Sequence, residues 1–155
     1  MSVVRKFRPP NRLKTMIRAK GGLLAKDAVA AAETGVETLR DPSLASLDEA
    51  LGEIERRFLP EVAGREAESF ETLYNLTLKI LDVAGFVSDA GVDQAAASLC
   101  TLVDNCAEAQ AWRWEEVDVH INALRLLRNH GASLPEEHRQ SMIDGLHTIS
   151  GLKAD

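Results

Sequence analysis

Residues 71–106, ETLYNLTLKILDVAGFVSDAGVDQAAASLCTLVDNC, limit the chain to helix packed on helix. In and just before the first half, Phe70, Leu73, Tyr74, Leu78 and Leu81 recur at three- and four-residue steps. Leu73, Thr77, Ile80, Ala84 and Val87 do the same. Two adjoining apolar stripes at the helical period predict a helix buried over a wide arc, as in the centre of a bundle. Ser88-Asp89-Ala90-Gly91 is the turn, where Gly91 permits a positive φ and Asp89 is suited to cap the next helix. Val92, Ala95, Ala96, Leu99, Cys100, Leu102, Val103 and Cys106 then form the apolar side of a second helix. Ala84-Gly85 and the alanines at 95–97 predict a close approach of the two axes.

The first helix leaves one narrow polar strip: Thr72, Asn75, Lys79 and Asp82, with Phe86 four residues further on. Most such strips are solvated helix faces. This one is the candidate partner-binding surface because of what the hairpin resembles.

An apolar helix, Ala84-Gly85, a glycine turn and an Ala/Leu-rich helix together resemble the core hairpin of histidine phosphotransfer (HPt) domains. There the motif runs His-x-x-Lys-Gly-x-Ala-Gly. Aligning Ala84-Gly85 with its Ala-Gly puts Leu78 at the histidine and Leu81 at the lysine. A slip of one residue substitutes Lys79 and Asp82. Neither register supplies the imidazole that phosphoryl transfer uses as nucleophile. The resemblance therefore implies an HPt-like antiparallel four-helix bundle, with an additional N-terminal helix and a basic arm, that binds without transferring phosphate. Its strip is the face phosphotransfer domains offer to receiver domains. The segments VRKFRPPNRL, LDVAGFVSDAG, ASLCTLVD and WRWEEVDVHINALRLLR, with Gly21-Gly22, also resemble CheE-type proteins of bacterial chemotaxis. That resemblance implies a cytoplasmic regulator of two-component signalling. Its partner would be a response-regulator receiver domain or a chemotaxis histidine kinase.

The flanking sequence extends the helical pattern. Leu13–Lys20 predicts a short helix ended by Gly21-Gly22. Leu23–Arg40 predicts another, with Val29, Ala32, Val36 and Leu39 as its apolar line and Gly35 as a weak point. Asp41-Pro42 reads as an N-cap followed by a first-turn proline, starting a new helix that runs to Phe58. In it Leu44, Leu47, Leu51, Ile54 and Phe58 make a heptad seam, packed inside the bundle or, alternatively, against a second copy as a homodimer. Pro60 and Gly64 mark a break. Beyond the hairpin, Trp114, Val117, Ile121 and Leu124 define a core line on a helix over 114–129, with Val119 and Leu126 buried on its flank and Gly131 as C-cap. Trp112 lies in the connection, as a lid over the bundle end or an exposed anchor. Ser133-Leu134-Pro135-Glu136 has the form of a capping box, starting a last helix with Met142, Ile143, Leu146 and Ile149 inward.

Composition bounds the remaining possibilities. With 155 residues, one domain over 23–155 behind an arm over 1–22 is expected. Residues 1–20 hold seven Lys/Arg and no Asp/Glu, whereas the whole chain carries a net charge of −6. Arg5, Lys6, Arg8, Arg12, Lys14 and Arg18 thus form a basic arm ahead of an acidic body. The arm suits an acidic surface, anionic lipid or the chain's own acidic helices, and nucleic acid least, because the body repels phosphate. No apolar run reaches the ~18 residues of a membrane span, and no apolar stretch backs the N-terminal charge as in a signal peptide. Cys100 and Cys106 point roughly 120° apart on one helix and cannot bridge each other. With no clustered ligands, neither a metal nor a cofactor is expected.

No residue is assigned as catalytic. His120 lies beside the Val117–Leu124 line, and a satisfied, half-buried histidine is its ordinary reading. His147, in Leu-His-Thr-Ile-Ser-Gly, is a superficial match to the phosphotransfer motif. Glu137-His138-Arg139-Gln140 has the acid-x-x-amide form by which phosphatases of receiver domains orient water toward a phospho-aspartate, so Glu137 and Gln140 are candidates for that alternative.

Overall fold

The computed structural model describes residues 25–87 and 90–151. All regular structure among them is helical, with no strand. The basic arm, the short helix expected over 13–20 and the Ser88-Asp89 cap lie outside the described residues. The helices are α1 (Ala25–Phe58), α2 (Phe70–Val87), α3 (Val92–Ala109), α4 (Trp114–His130) and α5 (Glu136–Ser150), with single 3-10 turns at Arg65–Ala67 and Gly131–Ser133.

The chain divides into two compact units, Met1–Thr38 and Leu39–Asp155. The described part of the first is helical and exposed from Lys26 onward, including Val29, Ala32 and Val36 of the expected apolar line. The expected helix break at Asp41-Pro42 is absent: α1 is continuous, with Pro42 inside it. Proline removes one backbone donor there. The site is exposed, so water is at hand for the carbonyl left over, and the good helix formers on both sides carry the helix through.

In the second unit the heptad seam of α1 turns inward. Leu47, Ile54 and Phe58 are fully buried and join a core with residues of α2, α3, α4 and α5. The most enclosed helix is α3 rather than α2. Nine of its eighteen residues are buried, and it contacts α2, α4 and α5. The small-residue contact is present: Ala84, Ala95 and Ala96 are fully buried, while Gly85 faces outward. Gly91 has the expected positive φ, 77°. It is required twice over, because a Cβ there would lie 2.5 Å from Ile143 Cδ1.

Three local expectations change. Val119 and Leu126 are exposed on the outer face of α4, since α3 and α5 cover only its other side. Gly131 is not a left-handed cap; its φ is −56°. It is small because Ala90 abuts it, and a Cβ would fall 2.5 Å from the Ala90 Cβ. Ser133 does not cap α5, which starts from Pro135 with no side-chain cap; its hydroxyl instead donates to the His130 carbonyl at 2.8 Å. The 3-10 turn brings that carbonyl within closer reach than the α5 amides.

Trp112 closes one end of the core. Its ring centroid lies 4.4 Å from Phe70, 4.4 Å from Trp114 and 6.1 Å from Phe58. Arg65 stacks over Trp114 at 4.4 Å, donates to Asp118 at 2.6 Å and reaches the Phe58 carbonyl at 3.2 Å. One guanidinium therefore ties the α1–α2 connection to α4.

Candidate functional site

Ser69 sets the start of α2. Its Oγ accepts from the Thr72 amide at 3.1 Å and lies 2.8 Å from the Thr72 hydroxyl. From there helical spacing aligns Thr72, Asn75, Lys79, Asp82 and Phe86 on one side of the helix. Thr72 is half-buried; the other four are exposed. Thr72, Asn75 and Lys79 line a cleft of about 670 Å³ against α1, whose floor includes Ala50 and Leu76. Asp82 and Phe86 lie beyond that cleft toward the end of α2, and Phe86 remains 46% exposed.

α1 forms the other wall of the cleft. It contributes Glu49, Glu53, Arg56 and Arg57. Arg57 Nε donates to Glu53 at 2.5 Å and its Nη1 to Glu68 at 3.3 Å, and Arg56 pairs with the other Glu53 oxygen. The Arg57 hydrogen bond holds the Glu53 carboxyl below its ordinary pKa, outweighing the opposing effect of desolvation; Glu53 in turn raises Arg57. The i,i+3 and i,i+4 spacing of these charges is visible in Glu53-Ile54-Glu55-Arg56-Arg57. Their position opposite Lys79 follows only from the packing of α1 on the bundle. Among the described residues Lys79 and Asp82 make no ion pair, so both charges are available to a partner.

The candidate nucleophiles stand elsewhere. His120 is fully buried. Its Nδ1 is 2.7 Å from the Glu116 carbonyl and its Nε2 2.9 Å from Ser98 Oγ, which is 2.9 Å from Ser150 Oγ. The Glu116 carbonyl only accepts, so Nδ1 donates to it, and the single Ser98 hydroxyl proton goes to Ser150 Oγ. Asn105 Nδ2 completes the network by donating to the Ser150 carbonyl at 2.8 Å. Burial pushes the His120 pKa down, against the raising effect of the Glu116 and Leu146 carbonyls. A serine beside a histidine has the atoms of a nucleophilic pair, but this one is sealed in the core and links α3, α4 and α5.

His147 is half-buried, and both ring nitrogens are shielded from solvent with no hydrogen-bond partner. Glu137 and Gln140 are exposed on α5, and Gln140 Nε2 donates to Asp144 at 2.8 Å. Neither residue lines the α1–α2 cleft. The thiols are inert in character: burial, then Asp104, pushes Cys100 up to about 11, and burial raises Cys106.

Among the described residues, no group of three His, Cys, Asp or Glu side chains is placed to hold a metal ion. No described helix is long and apolar enough to cross a membrane. The arrangement offers mixed charge and one exposed ring for recognition. No family model matches the chain, and neither a curated protein nor a solved structure matches it.

Proposed function

We propose that this chain is a non-catalytic regulatory adaptor of chemotaxis two-component signalling. In this reading its packed helices form the HPt-like antiparallel four-helix bundle with an additional N-terminal helix. The outer face of α2 binds a response-regulator receiver domain or a histidine kinase, occupying the site a true phosphotransfer protein would use. The observation that carries the reading is Phe86, 46% exposed on the same helix side as Lys79 and Asp82, which make no ion pair among the described residues. An exposed aromatic residue beside exposed charges is the composition of an interface anchor with a polar rim. The face carries no histidine, cysteine or other strong nucleophile, which suits occupancy rather than transfer.

The test is a titration of the full chain against receiver domains, with and without an acyl-phosphate mimic, beside a radiolabelled phosphotransfer assay. The expected result is binding with no label on the chain. Reversing both charges, Lys79→Glu with Asp82→Lys, should weaken binding about tenfold or more. Phe86→Ala should weaken it by roughly 1–3 kcal/mol, as for an interface anchor. Undiminished binding in both variants would overturn the assigned face.

The phosphatase alternative has its own observation, the exposure of Glu137 and Gln140 one turn apart on α5. It requires that the chain speed loss of acyl-phosphate from a receiver domain and that Gln140→Ala abolish this. Unchanged decay of the acyl-phosphate removes it.

A further inference from the structure

A second cleft, of about 480 Å³, shares no residue with the α2 strip. Arg40, Arg128, Arg139 and His130 line it, with Asn129 and Ser133 as neutral neighbours, and among the described residues no carboxylate lines it. From this geometry we propose that the cleft binds a small phosphate-type oxyanion, free or carried on a small molecule.

Two of the arginines are already oriented. Arg128 donates through Nε and Nη2 to the two oxygens of Asp48, at 2.7 and 2.9 Å. Arg139 donates through Nη1 to the Gly131 carbonyl at 3.1 Å and pairs through Nη2 with Glu136. Each spends two of the five N–H groups of a guanidinium and so keeps three. Both side chains are largely enclosed, at 26% and 17% exposure, so little further freedom is lost when an anion arrives. Their carboxylate partners are the exposed members of each pair, at 51% and 73%. Solvent and salt reach these exposed carboxylates, and an incoming dianion, with twice their charge, competes with them for the guanidinium groups. Arg40 is exposed and has no hydrogen bond or ion pair among the described residues; it is the free charge of the three.

The ligand class follows from charge and size. Planar guanidinium forks match the tetrahedral oxygens of phosphate. A chain of net charge −6 repels an extended polyanion, whereas one cationic cleft draws in a small anion that neutralises it locally. The volume lies in the range of small-molecule sites.

The experiment is a nitrogen-15 NMR titration of the full chain with inorganic phosphate, pyrophosphate and glycerol phosphate. Sodium chloride at matched ionic strength is the control. Saturable shifts at the amides of residues 129–133 and at arginine Nε groups are expected, largest for pyrophosphate. Glycerol phosphate binding tighter than inorganic phosphate assigns the group to a carrier; the reverse assigns it to the free ion. Arg40→Ala should weaken binding about fivefold, as the loss of one charge-assisted contact. Asp48→Asn should tighten it about twofold or more, because it removes the competing carboxylate. Shifts no larger than those of chloride, or an Arg40→Ala variant with undiminished affinity, would overturn the proposal. So would an Asp48→Asn variant that binds more weakly.

Discussion

His120 makes the stability of this protein depend on pH in a predictable direction. In the fold it is neutral, fully buried and bonded at both nitrogens, and its pKa lies below the ordinary 6.5 of the unfolded chain. The unfolded state therefore binds a proton as pH falls through 6.5, while the folded state resists it. The stability contributed by the neutral ring is complete above the unfolded pKa. It drains away below it, by about 1.4 kcal/mol per pH unit, until the folded pKa is reached. Between pH 7.5 and 5.5 the loss is at most about 1.4 kcal/mol, the limit set by the protonation of the unfolded ring alone. His120→Gln removes the titration and keeps a hydrogen-bonding group beside Ser98. The neighbouring Arg113–Glu116 pair is present in both proteins and cancels in the difference. Denaturant unfolding of the two at pH 7.5 and 5.5 reads the effect. The variant should be less stable at pH 7.5 by about 1–3 kcal/mol, through its imperfect network. The gap should narrow at pH 5.5, by at most about 1.4 kcal/mol. Parallel losses in the two proteins would refute the reasoning, since they would mean that folded and unfolded His120 titrate alike.

Other substitutions test the packing. Gly131→Ala places a Cβ 2.5 Å from that of Ala90 and should destabilise by about 1–3 kcal/mol, although its backbone angle is ordinary. Gly52→Ala, inside α1 with nothing within 4 Å of the new Cβ, should stabilise by roughly 0.5–1 kcal/mol; thermal unfolding of both variants gives opposite signs or the packing description fails. Arg65→Ala removes the Asp118 pair, the Phe58 carbonyl bond and the stacking on Trp114 together, so tryptophan fluorescence should change along with a loss of about 1–3 kcal/mol. Cys100 and Cys106 should react with a thiol reagent at pH 8 only as fast as the chain opens, because the thiolate of Cys100 is suppressed to about 11 and both side chains are buried. Rapid labelling of the native chain would contradict their placement.

The sequence alone established the helical class, the hairpin and most of the inward positions, because a helix repeats every 3.6 residues and its buried face shows as apolar spacing. The Leu47–Phe58 seam, the Ala84–Ala95 contact and the positive φ of Gly91 were readable for that reason. So was the strip from Thr72 to Phe86, which is a property of one helix. Tertiary packing decided what lay opposite. Periodicity places Val119, Leu126 and Val36 on apolar lines, but it does not count how many neighbours a helix has, and these three face outward. A proline inside a helix and a capping helix start have the same local sequence at Asp41-Pro42; the outcome depends on whether flanking residues prefer to continue. The α1 wall beside Lys79, the network through Ser98, His120 and Ser150, and the arginine cleft join residues far apart in the chain. Such meetings are set by which helix faces close on one another. That is a balance of burial over the whole core, which no local spacing encodes.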